Sequence, residues 1–131
     1  MSEAESSIRV VIADDHPAMR EGIRTILDAA PDIEVVGIAE DGRETQAQVT
    51  VLQPDILLLD LVMPDLRPAE IQAWVWQHYP ETTTLVLTAH DRDDLLSQAV
   101  AAEVAGYVTK DVTPHRLVQA VRAAANFKGI L

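Results

Sequence analysis

The sequence predicts one α/β domain, a parallel sheet covered by helices on both faces, and three observations carry this. Five short β-branched or aliphatic runs alternate with five stretches of helical apolar spacing along the 131 residues, a pattern that implies right-handed βαβ crossovers. The run Ile56-Leu57-Leu58-Leu59 is apolar without alternation, which fits a strand buried on both faces. That run delivers a single carboxylate, Asp60, before Pro64 forbids further pairing. Ligands of open parallel sheets bind beyond the carboxyl ends of the strands, so an acid placed there points to chemistry.

The elements follow in order. Ile8 to Ala13 (IRVVIA) is a β-branched strand ending at Asp14-Asp15. Pro17 suits the first helical position, and Met19, Ile23, Ile26, Leu27 and Ala30 recur at helical spacing until Pro31. Residues 33–40 form the next strand, Asp41-Gly42 is a turn signal, and residues 44–52 carry a weaker helical pattern. After the central strand, residues 68–78 read as a helix with Ile71, Trp74, Val75 and His78 on one stripe. Trp74 is expected in the core; Trp76, two positions on, falls on another face. Residues 83–88 are a strand, 91–102 a helix and 106–109 a short strand ending at Lys110. Thr113-Pro114 opens the last helix, with Leu117, Val118, Val121, Ala124 and Ala125 on its apolar stripe.

A chain that is 48% hydrophobic at this length closes a core without staples. With no cysteine, disulfides and thiolate metal sites are excluded, and the cytoplasm is the simplest address. Residues 1–7 are polar and acidic, a short mobile tail without signal-peptide character, and no apolar run approaches membrane-spanning length. A net charge of −11 argues against direct nucleic-acid contact, which needs clustered Lys and Arg.

The strand tips carry Asp14 and Asp15, then Asp60, then Thr88, then Lys110, all directed at one crevice. Three carboxylates at close range repel, and a hard divalent cation held by oxygens relieves that repulsion. Magnesium fits, since it accepts a few protein oxygens together with waters and phosphate. An Asp beside such a cation, a hydroxyl and a lysine has the parts for attack on phosphorus, giving an aspartyl phosphate. Asp14-Asp15 alone could be a helix cap, and Lys110 alone a solvated side chain; their order across strands carries the inference. His16 is expected to be a loop residue at the rim and not a metal ligand, because no second His or Cys stands at ligand spacing.

The segments IRVVIADDHP, DILLLDLVMP, LVLTAH and GYVTKD resemble the receiver domain of bacterial two-component response regulators, NarL/FixJ (LuxR-type) in particular. The resemblance covers residues 8 to about 126, and it implies a flavodoxin-like sheet of strand order 2-1-3-4-5 with five helices. It makes Asp60 the phosphoacceptor, with Thr88 and Lys110 acting on the phosphoryl group. Asp14, Asp15, Asp60 and the Val62 carbonyl become the Mg2+ ligands, Ala89 a backbone donor to the phosphoryl group, and Thr88 and Tyr107 the switch pair. Implied partners are a histidine kinase, a second copy after phosphorylation, and DNA only through a C-terminal helix-turn-helix domain, to which residues 127–131 would begin the linker. No membrane is implied.

Relatives commonly read Gly-Met-Asp-Gly after Met-Pro, whereas this chain has Asp65-Leu66-Arg67-Pro68, which leaves the geometry of that loop open. Two other functions compete. An aspartate-nucleophile phosphatase needs an acid two residues beyond its nucleophile, and Val62 cannot move a proton. A phosphorylation-independent interaction module would have kept the fold and not needed the five polar groups. The receiver's own catalysis is limited to self-phosphorylation and self-dephosphorylation.

Overall fold

The computed structural model describes residues 7–60, 63, 65, 68–88 and 106–130. Within them lie β1 (Ile8–Ala13), α1 (Pro17–Asp28), β2 (Ile33–Ala39), α2 (Gly42–Leu52), β3 (Ile56–Asp60), α3 (Pro68–His78), β4 (Thr83–Thr88), β5 (Gly106–Thr109) and α4 (Pro114–Ile130). The helix expected over 91–102 lies outside the described residues, so four of the five expected helices are seen. The last runs on to Ile130, through residues read from sequence as the start of a linker. No helix among the described residues is long and apolar enough to cross a membrane.

All five strands are parallel, in the order β2-β1-β3-β4-β5. The period-two alternation of a strand sends Val10, Ile12, Ile56 and Leu58 to one face, against Ile23 and Leu27 of α1 and Leu117 and Val121 of α4. It sends Val11, Ala13, Leu57 and Leu59 to the other, against Val49 of α2 and Ile71 and Val75 of α3. Both faces are therefore dry, which is why β3 reads as an uninterrupted aliphatic run: Ile56, Leu57 and Leu58 are each 0% exposed. Fully burying one such side chain contributes about 1.5–3 kcal/mol.

The edge strand β2 is irregular. Val10 pairs with Val35 but Val11 with Gly37, so Val36 is an extra residue, a bulge. Gly37 lies directly beneath α2, where a Cβ would collide with the Gln48 side chain and come within 2.6 Å of Leu52 Cδ1. A residue without a side chain lets the helix sit that close.

Helix α2 begins earlier than its apolar pattern suggested. Asp41 is its N-cap: its Oδ1 accepts the Glu44 N–H at 2.8 Å, and Glu44 Oε1 reciprocally accepts the Glu40 N–H at 2.9 Å. The Asp-Gly signal thus marks a helix start and not a separate turn, because a short acidic side chain serves both. At the other end Gln53 is left-handed, with φ 45°, and the Arg9 guanidinium donates to the carbonyls of Leu52 and Gln53 at 2.8 and 3.2 Å.

Trp74 is only partly buried and packs, with Tyr79, against the cluster of Val49, Ile71 and Val75; the ring centroid of Tyr79 is 5.2 Å away. The stripe assigned to it in sequence is completed by Ile71 and Val75, while His78 is exposed. Trp76 is 56% exposed, on the face expected for it.

Candidate functional site

Sheet register assembles the site. Ala13 pairs with Leu59, Asp60 with Leu87 and Thr88 with Thr109, so the residues that follow these strands meet along one edge. The Lys110 N–H donates to the Thr88 carbonyl at 2.8 Å and the Asp14 N–H to the Ala39 carbonyl at 3.0 Å, which carries the sheet's hydrogen bonding into the site. Asp14, Asp60 and Thr88 are buried. Asp15 is partly buried.

Lys110 Nζ donates to Asp60 Oδ2 at 3.0 Å and lies 3.9 Å from Asp14 Oδ2. This alters the electrostatic expectation from sequence. The three carboxylates do not stand without a cation: one ammonium, itself only 17% exposed, already compensates part of their charge. The compensation is incomplete, since Asp14 Oδ2 and Asp15 Oδ1 are buried and have no hydrogen-bond partner among the described residues. Buried carboxylate oxygens in that condition suit a further cation.

Two residues join the site that sequence reasoning left out of it. His16, read as a rim residue without chemistry, places Nδ1 3.3 Å from Asp14 Oδ1, 3.1 Å from Asp15 Oδ1 and 3.9 Å from Asp60 Oδ2. Ligand-capable atoms of Asp14, Asp15, His16 and Asp60 all lie within 4.8 Å of one another. A reading that looks only for a second His or Cys does not consider the carboxylates that another strand places beside the ring. Arg20, in the first turn of α1, donates from NH1 to the Asp14 carbonyl at 2.9 Å and fixes the backbone that carries the two acids. No local sequence signal marks this contact, which spans the start of a helix.

Of the other residues named from sequence, Val62 and Ala89 lie outside the described residues. Tyr107 is 47% exposed on β5. Asp65, in the loop where the sequence departs from its relatives, accepts hydrogen bonds from the Gly42 and Arg43 N–H groups at the start of α2.

The arrangement can hold a divalent cation on oxygens, present a buried carboxylate as nucleophile and neutralise a phosphoryl group with a lysine. Among curated relatives, the uncharacterized transcriptional regulatory protein YxjL of Bacillus subtilis is 35% identical over 126 residues, covering 96% of this chain and 58% of its own length. The transcriptional regulatory protein DegU of Brevibacillus brevis is 35% identical over 121 residues, 92% of this chain and 51% of its own. The chain thus spans little more than half the length of these relatives. The solved signal receiver domain of the response regulator NarL from Mycobacterium tuberculosis superposes with a TM-score of 0.87 at 36% identity, covering 92% of this chain and 98% of that one. The isolated REC domain of RcsB from Salmonella enterica serovar Typhimurium, solved in the presence of the phosphomimetic BeF3−, gives 0.79 at 30% identity over 89% and 87% of the two chains. The response regulator receiver domain profile matches residues 10–122, and with that match, this strand order and these strand-end acids, the chain belongs to the response regulator receiver family.

Proposed function

We propose that this receiver accepts a phosphoryl group on Asp60 from the phosphohistidine of a histidine kinase. An Asp60 carboxylate oxygen attacks phosphorus, the P–O bond forms as the P–N bond breaks, and the leaving imidazole takes up a proton. Asp14, Asp15 and Asp60, with the Val62 carbonyl, hold Mg2+, which supplies charge neutralisation at the phosphoryl oxygens when bound. Lys110 Nζ moves from Asp60 Oδ2 to a phosphoryl oxygen. The Thr88 hydroxyl and the Ala89 N–H take the remaining oxygens.

The observation that carries this reading is the 3.0 Å contact between Lys110 Nζ and an acid that is 1% exposed, beside two carboxylate oxygens without a hydrogen-bond partner among the described residues. Support also comes from RcsB, a relative studied with a phosphate mimic. Output is control of transcription, in keeping with the curated relatives, through a helix-turn-helix domain outside these residues and through pairing with a second copy. The location is then the cytoplasm, and catalysis is confined to gain and loss of the protein's own phosphoryl group. Incubation with Mg2+ and acetyl phosphate tests it: intact mass rises by one phosphoryl group in the wild type and not in Asp60→Asn. Steady release of phosphate from phosphomonoesters would instead support a phosphatase.

A further inference from the structure

The local chain fixes where the His16 ring goes. Asp14 Oδ1 accepts the His16 N–H at 2.8 Å, an Asx turn that folds residues 14–16 back on themselves. Pro17 restricts the residue before it to extended backbone, and His16 has φ −97° and ψ 107°. The ring is thereby directed over the strand tips and not along α1.

Two ligand atoms, each about 2.1 Å from a small divalent ion in adjacent octahedral positions, stand about 3 Å apart. His16 Nδ1 meets that separation from Asp15 Oδ1, at 3.1 Å, and from Asp14 Oδ1, at 3.3 Å, the latter a hydrogen bond in this structure. A second observation is independent of these distances. Asp14 is fully buried, and its Oδ2, 3.9 Å from Lys110 Nζ, has no hydrogen-bond partner among the described residues.

We propose that His16 Nδ1 is a ligand of the bound ion, and that it tilts this site from Mg2+ toward late first-row divalent ions such as Mn2+ and Co2+. The inference rests on the reading that Asp14, Asp15 and Asp60 hold a divalent cation. Mg2+ prefers oxygen and keeps its waters, whereas an imidazole nitrogen adds affinity along the Irving–Williams order. The side chain is 62% exposed, so the ring can carry its proton on Nε2 in solvent while Nδ1 faces the ion. That exposure also means the ring can be removed without opening the core.

The test uses the whole 131-residue chain, with calorimetric titration of Mg2+, Mn2+ and Co2+ into wild type, His16→Ala and Asp14→Asn, and electron spin echo spectroscopy of the Mn2+ complexes. His16→Ala is expected to weaken Mn2+ and Co2+ about tenfold and Mg2+ less than about threefold, and to abolish imidazole 14N modulation. Equal changes for all three ions, or no 14N modulation in the wild type, overturn the proposal. If Asp14→Asn still abolishes uptake in that case, the carboxylate site stands without His16. A wild type that takes up none of the three ions overturns both readings.

Discussion

Asp65 caps a helix that begins 23 residues before it. Its two carboxylate oxygens accept the first two amide protons of α2, those of Gly42 and Arg43, and a Cβ on Gly42 would lie 3.1 Å from the Asp65 carbonyl and carboxylate oxygens. The loop that follows β3 is therefore tied through Asp65 to the N-terminus of a neighbouring helix, with a negative charge at the positive end of its dipole.

Replacing that carboxylate should loosen both partners. Asp65→Ala is expected to lower stability by about 1 kcal/mol, the usual cost of a lost N-terminal cap, and to speed hydrogen exchange at Gly42 and Arg43. Urea unfolding with residue-resolved exchange checks it; unchanged exchange at those two amides would show that Asp41 alone suffices.

Lys110 should be a structural cation when no metal is present. Lys110→Met leaves buried Asp14 and Asp60 without an ammonium and is expected to cost about 2–4 kcal/mol in chelator, with partial recovery in saturating Mg2+. Asp60→Asn removes one charge from the crowded end while Lys110 keeps Asp14 at 3.9 Å, so its effect is small and stabilising. Thermal melts with and without Mg2+ read both signs.

The pair between α4 and the turn before β2 gives a pH dependence. Arg122 donates to Asp32 from Nε at 2.9 Å and Nη2 at 2.8 Å, and the guanidinium holds the Asp32 carboxyl below its ordinary range. A depressed folded-state value contributes stability that is present above the unfolded value and is lost as pH falls through the folded one. Arg122→Met should therefore melt below wild type at neutral pH, and the two curves should converge in acid. Half-exposed partners make the difference small and sensitive to salt. A gap that widens in acid would exclude this pair as its source.

Coupling to the surface should pass through Thr88. It is 2% exposed at the end of β4 and paired in register with Thr109, two residues beyond the exposed Tyr107. Phosphorylation adds charge and acceptor oxygens at Asp60 that draw the Thr88 hydroxyl inward, which gives the Tyr107 ring room to follow. Thr88→Ala is expected to leave Asp60 phosphorylatable yet to remove the phosphorylation-dependent amide shifts of Gly106, Tyr107 and Val108. Full wild-type shifts in the mutant would end this account.

The doubly covered sheet was legible because β1, β3 and β4 carry their burial in local composition, whereas the strand order followed from the family resemblance. Asp60 and Lys110 were legible because each ends such a run. What was hidden depends on contacts between distant segments. His16 meets Asp60 only after a turn and a proline redirect its ring. The Asp65 cap joins a loop to a helix start, and the helix start itself was masked because Asp-Gly is equally at home in a turn.

The irregularity of β2 bears on how copies of this domain meet. The outer strands of an open sheet offer unpaired backbone groups on which another chain can template, the usual route to aggregation. Here one outer strand is broken by the extra residue at Val36, with Glu34 exposed along it, and the other, β5, is four residues long. Neither border offers a long flat ribbon. On the function proposed above, association between copies falls to helix faces and side chains, contacts that a change of charge at Asp60 makes and unmakes, where backbone pairing across a sheet border would be slow to reverse.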